Sequence, residues 1–257
     1  MTWTRRQFLS GVLASGAALA LPERAARAFG SQTDFDIPLL RYESSGWNPR
    51  PTAIRRILLE IEQRTSILIS PDNSVVEARA EDLFRTPMLM IGGDRGFAPW
   101  RPEAREALRL FLQAGGFLVI DSAEGRAEGE FEESIRREMS HVLPGQSFTP
   151  LSPEHVLFKT FYLIDGAPGR LALRNHVDAI TFDGRAAVLF SANDMMGAWA
   201  RDRFGNPEFS VFPGGERQRE MALRMGVNLA MYALTLDYKD DQVHIPFILR
   251  RRRWRTR

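Results

Sequence analysis

At four places in this chain, residues able to do chemistry stand directly after an apolar run. Asp121-Ser122 follows Phe117–Ile120, Gly93-Asp94 follows Met88–Ile91, and Ser191 with Asn193-Asp194 follows Ala186–Phe190. Arg41 closes the run Asp36–Arg41, with Tyr42 and Trp47 in the loop beyond it. If these runs are neighbouring parallel strands, their ends share one sheet edge, where open α/β sheets hold ligands. Carboxylates, hydroxyls, an amide, an arginine and an aromatic together make up a polar small-molecule pocket. The same residue types also cap helices and close turns, so a purely structural role stands beside the functional one.

Three chemistries can be weighed on these residues. A serine hydrolase needs a nucleophile, a base and an orienting acid; Ser122 or Ser191 with His155 and Asp121 or Asp194 supplies the types. Neither serine lies in a Gly-x-Ser-x-Gly elbow, and Gly125 comes three residues after Ser122 rather than two. Asp94, Asp121 and Asp194 offer oxygens to Mg²⁺ or Ca²⁺, but no loop has calcium-site spacing. His141, His155, His176 and His244 show no HExxH or paired spacing for zinc. The chain has no cysteine, which removes thiolate metal sites, disulfides and a cysteine nucleophile. No metal and no cofactor is expected. Arg136, in Arg136-Arg137-Glu138, either joins exposed helix salt bridges or points inward to Asp121 or an acidic ligand.

The elements that must position these residues alternate. Asp36–Arg41 reads as a strand, and Pro51 opens a helix carrying Ile54, Ile57, Leu58 and Ile61 to about Arg64. Ile67–Ile69 reads as a short strand closed by Ser70–Asn73. Met88–Ile91 is a strand, and Pro102 opens a helix with Leu108, Phe111 and Leu112 at helical spacing. Gly115-Gly116 turns that helix into Phe117–Ile120, an apolar run without alternation, as in a strand covered on both faces. Phe131–Val142 is a helix with Ile135 and Met139 inward and charges elsewhere, and Pro144–Pro153 is a loop. His155–Ile164 remains ambiguous between helix and strand. Ala179–Phe182 and Ala186–Phe190 are strands hinged at Asp183-Gly184, a pair suited to a tight hairpin. Arg201–Gly215, rich in Pro and Gly, is expected as a mobile loop. Glu216–Leu236 is a long helix with Met221, Met225, Leu229 and Tyr232 on one face. The pattern is α/β with a mostly parallel sheet, and there is no internal repeat.

Charge is segregated along the 257 residues. The formal +2 combines +3 in residues 1–28 and +6 in residues 250–257 with −7 between them. An acidic body argues against a nucleic-acid-binding domain, whose basic residues should line a face of the fold. Arg5-Arg6 followed by Phe8-Leu9, a mildly apolar Val12–Leu21 and small residues at Ala26-Arg27-Ala28 reads as a twin-arginine export signal. The expected organisation is a signal at 1–28, a single α/β domain at 29–242 and an apolar, then Arg-rich, tail at 243–257. Cleavage near Ala28 would leave the protein in the periplasm. The tail is either a solvated end or a peripheral contact with anionic headgroups or an acidic partner, with Trp254 at the interface.

Six stretches in order, RYESSGWNPRP, GGFLVIDSAEG, FEESIRREM, HVLFKTFY, DGRAAVLFSANDM and MGVNLAMYALT, resemble the bacterial domain of unknown function family 4159. The resemblance spans about Leu39 to Asp237. It implies a flavodoxin-like, doubly wound fold related to class I glutamine amidotransferases, with no established activity. Those amidotransferases use a cysteine on a strand-to-helix elbow, so that chemistry does not transfer to this cysteine-free chain. The expected function is an envelope-associated, non-catalytic module for a protein partner or small polar ligand. The alternative is a hydrolase using the same strand-end pocket, and the residues leave open whether the protein is an enzyme.

Overall fold

The computed structural model describes residues 34–70 and 74–240. Residues 1–28, read as an export signal, and the tail from Val243 lie outside the described residues, as does most of the turn Ser70–Asn73.

Among the described residues a seven-stranded sheet runs in the order β2-β1-β3-β4-β7-β6-β5. Its strands are β1 (Leu39–Arg41), β2 (Val75–Glu77), β3 (Met88–Gly93), β4 (Phe117–Ser122), β5 (Thr149–Pro150), β6 (Asp178–Phe182) and β7 (Arg185–Ser191). The first five in spatial order are parallel, and β6 and β5 continue antiparallel from β7. The helices are α1 (Ala53–Arg64), α2 (Ala80–Leu83), α3 (Pro102–Gln113), α4 (Glu130–Val142), α5 (Met195–Trp199) and α6 (Gly215–Asp240).

Helices cover both faces of this sheet, which is why its central strands carry no polar alternation. Met88, Met90, Phe117 and Val119 face a core shared with α1, α5 and α6. Their neighbours Leu89, Ile91, Leu118 and Ile120 face a second core shared with α3 and α4. Gly115, at φ 102°, ends α3 in a conformation that a Cβ would strain. A Cβ on Gly116 would sit 2.4 Å from the Phe111 ring, so that position needs glycine for space. Arg185, at the start of β7, donates to the carbonyls of Leu112 and Gly116 and so closes the C-terminal end of α3. Asp183 and Gly184 both take positive φ, 50° and 74°, the backbone of a tight hairpin between β6 and β7.

Several expectations need correction. Ile67–Ile69 is no strand: only Ile69 bridges, in parallel to Phe35, ahead of the Leu39–Val75 pairing at which β1 and β2 begin. β2 and α2 fall where no pattern was visible, since Val75 and Glu77 are exposed edge positions. The first strand begins at Leu39, not Asp36, and the segment read as the loop 144–153 contains the edge strand β5. Val156–Lys159 settles the ambiguous stretch as one 3₁₀ turn. On α4 the charges are not all outward: Glu132 and Glu138 are buried. Glu138 is tolerated there because it accepts from Arg105, Arg137 and the Trp100 amide, at 2.8, 3.0 and 3.1 Å. The segment 201–215 is irregular but fastened: Phe212 N–H donates to Arg170 at 2.9 Å and Arg219 donates to the Phe209 carbonyl at 2.8 Å.

Candidate functional site

The C-terminal ends of β1, β3, β4 and β7 do meet. Gly92 lies beside Asp121, Gly93 beside Ser122, and Asp121 beside Ser191 in the strand registers. β1 is followed by a path outward to β2 and then back across to β3, so connections diverge between β1 and β3. The loops after those two strands close over this point. The Tyr42 hydroxyl donates to the Gly92 carbonyl at 2.9 Å, and its ring packs on Phe97 and Phe131. Burial, reinforced by the charge of Asp94, raises the pKa of that hydroxyl. A Cβ on Gly93 would fall 2.1 Å from the Phe131 ring and 2.6 Å from the Tyr42 oxygen, so only glycine fits beneath the loop.

Asp121 is buried, and its two oxygens accept from the amides of Met195 and Met196 at 2.9 and 2.8 Å. It therefore caps α5 from a neighbouring strand. Burial first and the adjacent Asp194 charge second push its carboxyl up to about 8, against the pull of the two amides and of Arg50. Asp194, fully buried, starts α5 in the left-handed region at φ 55° and accepts from the Gly197 amide at 2.9 Å. Arg50 holds its carboxylate through Nε at 3.1 Å and Nη2 at 2.7 Å. Arg170 donates to the same carboxylate, and both guanidiniums lie over the ring of Phe209, at 4.1 and 6.0 Å.

Asn193 is equally engaged. Its Oδ1 accepts from the amides of Leu173 and Arg174, both at 3.0 Å, and its Nδ2 donates to the carbonyls of Ala167 and Arg174. The Ser191 hydroxyl accepts from the Asn193 amide at 3.2 Å. Ser122 bonds Glu124, whose other oxygen accepts from the Phe131 amide at 3.0 Å near the start of α4.

Three candidates stand apart from this group. Arg136 pairs with Glu132 and Asp178, each at 2.7 Å, and not with Asp121. Arg174 joins the same two carboxylates, so one ionic network spans α4 and β6. His155 caps the 3₁₀ turn by accepting from the Leu157 amide and touches the edge of Tyr232. Tyr232 in turn packs on Phe117, the first residue of β4, and bonds Ala186, the second of β7. His155 thus sits toward the N-terminal ends of β4 and β7, with the length of β4, about 16 Å from Phe117 to Ser122, separating that end from Ser122. Burial, then Lys159, lowers its pKa. The Ser–His–Asp arrangement considered above is not assembled. Asp94 is half-exposed and bound to Arg95 at 2.7 Å. Among the described residues no group of three or more His, Cys, Asp or Glu side chains is arranged to hold a metal ion.

The accessible side chains at this sheet edge are therefore others. Arg41 is exposed, with its guanidinium 5.6 Å from the ring centroid of half-buried Trp47, which touches both cores. Asn48 Oδ1 is buried and, among the described residues, receives no hydrogen bond. Sequence reasoning missed Arg50, Arg170, Arg174, Asp178 and Asn48. Asn48 and Arg50 lie inside the Trp47-Asn48-Pro49-Arg50-Pro51 stretch, whose turn residues were visible, but the partner of Arg50, Asp194, lies far along the chain.

The family described as Domain of unknown function (DUF4159) matches residues 36–234, which contain every strand and every candidate site residue. No curated protein matches the chain.

Proposed function

We propose a function for a chain that belongs to the DUF4159 family: a non-catalytic module that binds a small polar ligand or a protein partner at the cell envelope. One observation carries this. At the C-terminal sheet edge the buried carboxylates and the buried amide of Asn193 are already bonded within the protein, while His155 lies toward the N-terminal ends of β4 and β7. A catalytic site needs a base within reach of its nucleophile; a binding site needs only a rigid frame and a few groups facing outward. Asp121, Asp194, Asn193, Ser122 and Ser191 act as the frame. Arg41, Trp47, Asp94 and the accessible part of half-buried Asn48 make the recognition surface.

The flavodoxin-like assignment is supported by the parallel order 2-1-3-4-7, which follows the 2-1-3-4-5 pattern with the antiparallel strands β6 and β5 appended. Export by the twin-arginine route, a single domain from Phe29 to about residue 242, and surface attachment through the Arg-rich tail complete the proposal, on the sequence features described above.

The test is a ligand and turnover comparison on the purified protein. Thermal-shift screening against polar metabolites and cross-linking in envelope extracts should give a binder whose capture is lost in Arg41→Ala and Asn48→Ala. Sustained turnover of an ester, amide, phosphoester or glycoside that disappears in Ser122→Ala or Ser191→Ala would overturn the non-catalytic assignment.

A further inference from the structure

Arg201 leaves α5 and opens the loop that returns through Phe209. Arg201 is half-buried; Arg219 donates to the carbonyls of Ala198 and Phe209 on either side of it in the chain, and Arg56 lies on α1, which packs against α5. Burial first, then the charges of Arg219 and Arg56, lower its pKa, with Glu216 and Glu60 only partly opposing them. Those two carboxylates are taken up by nitrogens other than Arg201 Nη1 and Arg56 Nε. Glu60 accepts from Arg56 and Arg64, and Glu216 accepts from Arg219 Nε at 2.9 and 3.0 Å. Glu220 serves Arg64 and Arg224, and Glu208 accepts from Thr52 at 2.8 Å. The remaining nitrogens of Arg219 donate to the carbonyls of Ala198 and Phe209. Among the described residues, Arg201 Nη1 and Arg56 Nε are both buried and meet no acceptor.

We propose that Arg201 and Arg56 form an anion site that takes a phosphate or carboxylate group between α1 and the loop after α5. Two buried guanidinium N–H groups without an acceptor, on α1 and directly after the α5 that packs against it, with the nearby carboxylates occupied, call for an oxygen acceptor carrying negative charge. A guanidinium presents its donors in a fixed fork that fits phosphate and carboxylate oxygens alike. A buried charged donor without an acceptor is costly, and an anion removes that cost and the repulsion among the arginines together. The site stands on residues other than those of the recognition crevice, so each can fail without the other.

The full-length chain is titrated with sodium phosphate and with sodium acetate, against sodium chloride at matched ionic strength. Binding is read by calorimetry and by melting temperature. Phosphate, acetate or both should bind saturably and raise the melting temperature beyond the chloride control. The anion that acts identifies the group the site prefers. Arg201→Gln should weaken that binding by about tenfold or more, and it should melt no lower than wild type in chloride, because it relieves a crowded charge. Arg56→Gln should weaken binding likewise, which keeps the test standing if one variant folds poorly. Arg203→Gln, at an exposed arginine over Phe204, should leave it unchanged. Absence of saturable binding by either anion, or binding undiminished in both Arg201→Gln and Arg56→Gln, overturns the site.

Discussion

Arg50 grips Asp194 across 144 residues of sequence, with Nε at 3.1 Å and Nη2 at 2.7 Å from the two carboxylate oxygens. This contact ties the loop after β1 to the turn after β7, and it compensates a carboxylate that is wholly buried. Removing one partner of such a pair leaves an uncompensated charge and costs far more than the intact pair contributes. Arg50→Ala is therefore expected to destabilise the protein by about 3 kcal/mol, read as a lower urea midpoint. Arg50→Lys should recover only part of this, since an ammonium cannot reproduce the two-pronged contact. An unchanged midpoint in Arg50→Ala would show that Arg170 alone neutralises Asp194.

Asp121 predicts how stability depends on pH. Its folded pKa is raised to about 8, so between its unfolded value, about 4, and 8 the native state holds a proton that the unfolded chain has released. The stabilisation is full below about pH 4 and is lost as pH rises towards 8. Unfolding free energy should fall across that window in wild type. In Asp121→Asn, which cannot titrate, the decline should be shallower. Denaturant melts at pH 5 and pH 8 measure both slopes, and parallel slopes would remove Asp121 as the source.

Asn193 separates frame from ligand. It satisfies two backbone amides and two carbonyls of the segment 167–174. Asn193→Ala leaves these groups without their partner and should cost about 3 kcal/mol. Asn193→Asp should also destabilise, because a carboxylate would face two carbonyl oxygens. A fully stable Asn193→Ala that loses only ligand capture would instead make Asn193 part of the recognition surface.

Gly115 and Gly116 meet different constraints. Gly115→Ala should lower stability by about 1–2 kcal/mol through its positive φ. Gly116→Ala should cost about 1–3 kcal/mol by driving a methyl into buried Phe111. Combining Gly116→Ala with Phe111→Leu should restore part of the loss, whereas Gly115→Ala should gain nothing from the smaller side chain. Thermal melts of the four proteins check the distinction.

The sequence by itself determined the central strands β3, β4 and β7, the four long helices α1, α3, α4 and α6, and the hairpin at Asp183-Gly184. These have local causes: apolar runs flanked by Gly, Pro or Asp, and apolar residues at helical spacing. It also determined which residues end up at the C-terminal sheet edge, because a residue following a parallel strand has nowhere else to go. What those residues do was decided only by the tertiary structure. Whether Asp121 faces a ligand or the amides of Met195 and Met196 depends on β4 lying beside β7, 74 residues away for the nearer amide. Arg136 finds Asp178 rather than Asp121, and His155 reaches Tyr232 rather than Ser122, for the same reason. A charge pattern along the chain states that partners are needed, and strand order chooses them. The edge strands β2 and β5 were invisible because exposed, two- or three-residue strands have no burial pattern to encode.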